Sequence, residues 1–97
     1  MKDVKNKSTV LMADGQVGVA GNPGYLKSVT VNGNGAAAGQ ADFYDGSDTA
    51  GTLKYSIRVT ATAGDSKSSP PLSIWFSSGI YCDVTTITSV SVEYSGA

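Results

Sequence analysis

The sequence contains no histidine and a single cysteine. Without histidine it lacks the side chain whose ordinary pKa lies nearest neutral pH, and with it the usual general base, proton shuttle and commonest metal ligand. One cysteine cannot form an intramolecular disulfide. A nucleophilic cysteine also needs a neighbouring base or cation to make its thiolate. Cys82 alternates with Ile80 and Val84 in "GIYCDV", so it is expected to be a buried, inert, small apolar side chain. Charge is equally scarce. Charged residues make up 15% of the chain, against about 25% in ordinary domains. The net charge of −1 argues against nucleic acid as a partner, which requires a broad basic surface. No apolar run approaches the ~20 residues needed to cross a bilayer. Lys2, Lys5 and Lys7 form the only basic cluster, and no apolar stretch of about seven or more residues follows it, as a secretory signal would require. The chain is therefore expected to be soluble, with no membrane partner and no export signal. No segment holds apolar residues at i, i+3, i+4 and i+7 over three turns, so no substantial helix is expected.

What remains is alternation. Ninety-seven residues make one domain. The apolar set leans to β-branched and aromatic residues, the types that favour strands. "TVLM" (9–12) and "VGVA" (17–20) flank a turn at Asp14-Gly15 and read as a hairpin. "NPG" (22–24) reads as a turn in which Gly24 takes a positive φ. In "YLKSVTVN" (25–32), Tyr25, Lys27, Val29 and Val31 share one face, with Val29 and Val31 marking the buried side and Leu26 opposite. "QADFYD" (40–45) places Ala41 and Phe43 together. "TLKYSIRVTA" (52–61) turns Leu53, Tyr55, Ile57 and Val59 inward. "GDSKSSPP" (64–71) reads as a polar loop stopped by Pro70-Pro71. "LSIWF" (72–76), "IYCDVT" (80–85) and "TSVSVEY" (88–94) complete about eight short strands. That spacing signals an all-β, antiparallel β-sandwich or jelly-roll-like fold.

Three aspartates fall within the stretch "DFYDGSD": Asp42, Asp45 and Asp48. A calcium site needs six to eight converging oxygens. At ~3.3 Å per strand residue, Asp42 and Asp45 sit roughly 10 Å apart on opposite faces. Turn chemistry is the expected role of Asp45 and Asp48, and neither a metal nor any other cofactor is expected. The remaining carboxylates fall mostly in turns, without an acid and base pair. "NGNGAAAG" (32–39) echoes a phosphate-binding loop but leads into no helix. No nucleophile and base can be assembled from this inventory, so the chain is not expected to be an enzyme. Trp75 points opposite Ile74 and Phe76 and is expected either to face outward or to belong to a second core face.

The pieces "GYLKSVTVNGNGAAAGQADFYDG", "AGTLKYSIRV", "LSIWFSSGIYCDV" and "SVSVEY" follow one another in an order that resembles a family of small proteins encoded in tailed-bacteriophage genomes. The resemblance covers residues 24–95. Its matching points are Phe43-Tyr44-Asp45-Gly46 and Gly79-Ile80-Tyr81. It implies a virion component, a β-sandwich that decorates or cements the capsid surface or sits on a fibre or tail. On this reading residues 1–9 form an N-terminal arm and 10–97 a single sandwich domain. Lys2, Lys5 and Lys7 on the arm, Trp75, Tyr81 and the loop "GDSKSSPP" would carry the contacts. The partners would be the major capsid protein or other virion subunits, with a homo-oligomer left open. The chain would be made in the host cytoplasm and end on the capsid surface. The other reading is a receptor- or glycan-binding module of a fibre or tail, using Trp75.

Overall fold

A computed structural model describes residues 6–97. Those residues contain no helix and nine strands, arranged in two antiparallel sheets packed face to face as a sandwich. The strands are β1 (Lys7–Leu11), β2 (Gly15–Val17), β3 (Gly24–Gly33), β4 (Gly39–Asp45), β5 (Thr52–Val59), β6 (Ser66–Ser68), β7 (Ile74–Phe76), β8 (Ile80–Thr85) and β9 (Ile87–Gly96). The first sheet runs β1-β9-β3-β6, with β7 also on β3; the second runs β2-β8-β4-β5. Both layers turn one face inward. Leu26, Val29, Val31, Phe76, Val90, Val92 and Tyr94 from the first sheet meet Val17, Ala41, Phe43, Ile57, Val59, Ile80 and Cys82 from the second. This is the division that period-two alternation dictates for sheets with one solvated face.

The connections differ from the expected ones. β1 pairs with β9 and β2 with β8, so the two segments expected to form a hairpin belong to different sheets. Gly15 does not take the positive φ that a two-residue hairpin turn requires. The Asp14 carboxylate instead accepts a hydrogen bond from Val84 N at 2.8 Å, which draws the chain onto the second sheet. The second segment ends as a strand at Val17. The turn after it closes at Asn22 N to Val19 O, 3.1 Å, with Gly21 at φ 84°; Gly24 already belongs to β3. Of all consecutive strands, only β4 and β5 pair directly within the second sheet. The others cross between layers or share an edge.

Residues 66–76 lie along one side of β3. The supposed polar loop supplies β6, the one strand beyond the eight expected, which pairs with Thr30–Asn32, while β7 pairs with Gly24–Leu26. Between them Ser69 N and Leu72 N donate to Val29 O and Lys27 O, at 2.8 and 2.7 Å. Pro70-Pro71 interrupts the ladder there. A broken edge of this kind resists pairing with a foreign strand. The strand β1 starts at Lys7, so residues 7–9 of the expected arm lie in the sheet; residues 1–5 are outside the described residues.

Three bulges interrupt the ladders: one, with Thr88 extra, lies at the start of β9 opposite Asn32 and Gly33, and the other two reset the alternation of β3 and β5. In β3 the pairing with β9 shifts between Leu26 and Ser28, leaving Lys27 as the extra residue. Leu26 therefore joins Val29 and Val31 in the core, and Tyr25, expected on their side, is 40% exposed. In β5 the pairing shifts between Tyr55 and Leu53, with Lys54 extra. Leu53 then sits opposite Tyr44 on the outer face and is 51% exposed, although a strict alternation places it inside. A bulge sets two residues against one on the partner strand, so every side chain beyond it changes face. These positions separate the two registers experimentally. Phe43→Ala removes a fully buried ring and should cost about 3–5 kcal/mol in urea unfolding. Leu53→Ala should change stability by no more than about 0.5 kcal/mol; a core-sized loss there would contradict the bulged register.

Candidate functional site

Tyr25 and Trp75 face each other across the β3–β7 pairing, both pointing away from the core. Their ring centroids are 4.9 Å apart and tilted by 54°, within the range where aromatic pairs attract. Trp75 is 45% exposed. The Lys27 ammonium lies 5.2 Å from the Tyr25 ring centroid, a cation–π contact made by the bulged residue itself. The pair stands at one end of the first sheet. Beyond it the outer face carries hydroxyls. Thr30 and Ser68 share a hydrogen bond at 3.0 Å, Asn32 Nδ2 donates to Ser89 Oγ at 3.1 Å, and Ser91 lies opposite Thr30. Two large rings at the rim of a hydroxyl-bearing surface form an exposed, partly apolar patch.

The expected contact residues divide among different surfaces. Trp75 faces outward as one of its two readings had it. Lys7 lies at the same end of the same sheet, opposite Tyr94, and its Nζ donates to Gly96 O at 3.3 Å. Lys2 and Lys5 lie outside the described residues. Tyr81 is on the far side of the sandwich, between Gln16 and Tyr44 on the outer face of the second sheet. Burial first, and then the charges of Asp14, Asp83 and Asp48, push its phenol above the ordinary range. Trp75 and Tyr81 therefore cannot form one contact patch. Tyr25 was missed because alternation counted from Val29 places it inside. Leu26 and Val29 supplied a signal. Two apolar residues three apart cannot share a strand face unless a residue between them is extra.

The three aspartates have separate employments. Asp42, on the outer face of β4, accepts from Gln40 Nε2 at 2.7 Å and Ser56 Oγ at 2.6 Å. Asp48 Oδ1 accepts from Ala50 N at 2.9 Å in its own turn. Asp45 caps the turn between β7 and β8, with Ser78 N at 2.7 Å and Ser77 N and Oγ both at 3.1 Å. Gly46 N adds a bond to Gly79 O at 3.0 Å. Among the described residues no three His, Cys, Asp or Glu side chains converge as metal ligands. A second acidic group does form, however. Asp83 sits opposite Asp42 in the ladder. Burial, then the Asp14 charge and a hydrogen bond with Asp14, and then Asp42, hold the Asp83 carboxyl above its ordinary range. Cys82 is fully buried, and burial first, then Asp14, Asp83 and Asp42, push its thiol up to about 12. It stays a neutral thiol at physiological pH, the inert state expected of it.

Compared with known protein families, curated proteins and solved structures, the chain matches none of them.

Asp45 and Asp83 carry opposite pH signatures. Burial opposes ionisation of Asp45, but the backbone bonds from Ser78 and Ser77, the Ser77 hydroxyl and the Lys54 charge outweigh it and lower its pKa below 3.8. Its stabilising contribution is complete above the unfolded-state value and lost as pH falls through the lowered folded-state value. Asp45→Asn should therefore destabilise the protein at pH 7, with the gap to wild type closing in acid below that value. Asp83 binds its proton more tightly folded than unfolded, so its ionisation costs stability as pH rises past the unfolded-state range. Asp83→Asn should raise the urea midpoint at pH 7, with the gain shrinking as pH falls toward the ordinary carboxylate range. The reverse sign in either series would contradict these placements.

Proposed function

We propose that the protein is a structural virion component, a decoration or cement subunit that binds the outer surface of a phage head and stabilises it. The observation that carries this reading is the exposed Tyr25–Trp75 pair at the end of the first sheet where β1 begins. Exposed aromatic side chains that lose their water on contact dominate interface energies. Lys7 stands at the same end, already paired into the sheet, so on this reading the arm contact falls to residues 1–5, with Lys2 and Lys5, which lie outside the described residues. The work is mechanical. Each copy adds binding energy available only in the assembled shell, which stabilises that shell by mass action. The protein catalyses nothing in this role.

The likeness to small phage proteins supports the same reading. Its two matching points, Phe43 to Gly46 and Gly79 to Tyr81, are tied together by the bond from Gly46 N to Gly79 O and the adjoining Asp45 cap. A receptor- or glycan-binding module of a fibre or tail is the second reading. It is favoured by the position of the aromatic pair beside the hydroxyl rows of Thr30, Ser68 and Ser91, since sugar rings offer apolar faces to stack and hydroxyls to bond.

Co-sedimentation with emptied, expanded tailed-phage heads lacking decoration subunits tests the proposal. The full chain should bind saturably. Trp75→Ala should weaken binding by at least about tenfold, as truncation of a hot-spot aromatic does, while Tyr81→Ala leaves it unchanged. Removing residues 1–5 should weaken binding while sparing β1. Absence of binding by the full chain would overturn the proposal. A Trp75→Ala variant that loses binding to a glycan array instead would favour the second reading.

A further inference from the structure

The chain has two Asn-Gly dipeptides, Asn32-Gly33 and Asn34-Gly35, adjacent in sequence. Asn-Gly is the dipeptide most open to intramolecular attack on the carboxamide, because glycine leaves the following backbone nitrogen unshielded. The fold treats the two oppositely. Asn32 lies in β3, with its Nδ2 donating to Ser89 Oγ at 3.1 Å. The attacking atom of that dipeptide, Gly33 N, is itself spent in a hydrogen bond to Asp65 O at 3.0 Å. The ladder holds the backbone extended around both groups. Asn34 stands in the exposed loop after β3, and Gly35 N has no acceptor among the described residues. Asn34 Oδ1 accepts from Ala36 N at 2.8 Å and Ala37 N at 3.2 Å, which lays the carboxamide along the backbone that follows it.

We propose that Asn34-Gly35 is a self-modification site, at which the chain converts Asn34 to aspartate and isoaspartate while Asn32 is protected. In the first step Gly35 N attacks Asn34 Cγ. A nitrogen–carbon bond forms, Oδ1 takes the developing negative charge, and the carbon–Nδ2 bond breaks. The Gly35 amide proton ends on the departing ammonia, and a five-membered imide remains. Water then opens the imide at either carbonyl, leaving an aspartate or an isoaspartate in place of Asn34. No oxidant, metal or second protein is consumed. The hydrogen bonds from Ala36 N and Ala37 N point at the oxygen on which charge develops, the arrangement that stabilises such intermediates. The rate rises with pH because the attacking nitrogen must lose its proton.

The product is not neutral in effect. A carboxylate in place of the Asn34 carboxamide adds one negative charge to a chain of net −1 and makes a stronger cap for the same two backbone donors. The isoaspartate branch inserts an extra carbon into the main chain beside Gly35. Gly35 takes φ +77°, and a Cβ built on it would lie 3.0 Å from Ala63 Cα, so there is little room for the longer backbone. Conversion thus alters the charge and shape of the loop end farthest along β3 from the Tyr25–Trp75 pair, irreversibly and with time.

The test is to incubate the full chain at mildly alkaline pH, folded and in parallel in denaturing urea. Peptide mapping by mass spectrometry follows the amide-to-acid mass gain at each asparagine, with the Asn34→Asp variant as the standard for the aspartate product. In the folded protein Asn34 should convert at least about tenfold faster than Asn32, a barrier difference of about 1.4 kcal/mol. In urea the two rates should approach each other. A folded-state ratio below about tenfold, conversion at Asn32 first, or no conversion at Asn34 would overturn the proposal.

Discussion

One extra residue, Lys27, decides which side of the first sheet each side chain of β3 occupies. A regular ladder between Gly24 and Gly33 would send Leu26 into water and Tyr25 into the core. The bulge opposite Tyr94 and Glu93 lets Leu26, Val29 and Val31 face inward together and leaves Tyr25 outside. β7 is registered on the same stretch of β3, so Trp75 follows Tyr25 outward while Phe76 fills the core. The bulged lysine then lies over the Tyr25 ring. The exposed aromatic pair and the packed end of the core are therefore two consequences of one irregularity in pairing.

The rest of the sandwich depends on stitching layers whose strands are rarely neighbours in sequence. The chain crosses between sheets after β1, β2, β3, β5, β7 and β8. Crossings leave backbone donors without ladder partners, and such donors need acceptors. Short polar side chains supply them. Asp45 satisfies the turn between β7 and β8, Asp14 satisfies Val84 N, and the Asp65 carboxylate accepts from Thr60 N and Oγ1 at 2.8 Å each. This places aspartates in turns and on the outer face of the second sheet, with Glu93 the carboxylate outside the first. Asp14, Asp42 and Asp83 make the outside of the second sheet acidic, while the outside of the first is hydroxylated and aromatic. In the docking account the hydroxylated, aromatic face meets the partner and the acidic face stays toward water.

Much of this was legible in the sequence. Alternation in Ala41 and Phe43, in Ile57 and Val59, and in Val90, Val92 and Tyr94 identified strands and their buried sides, because one-sided burial forces period two on the residues themselves. Cys82 was legible for the same reason. Partners were not, since a strand's periodicity says which face is buried but nothing about which strand lies beside it. The hairpin expected between residues 9 and 20 failed on that point. Bulges were the other loss. Tyr25 and Leu53 changed faces because Lys27 and Lys54 are extra residues, and a charged residue in an alternating strand looks the same whether it is bulged or merely exposed. The Trp75 half of the candidate site followed from its own strand. The Tyr25 half depended on pairing.

The central claim is that the Tyr25–Trp75 end of the first sheet is the face that meets a partner. Hydrogen–deuterium exchange of the full chain, free and bound to emptied, expanded phage heads, tests it most directly. The account predicts new protection in β7, the start of β3 and β1, with the acidic outer face of β4 and β8 unchanged. Protection confined to β4 and β8, around Tyr81, Asp42 and Asp83, would contradict it.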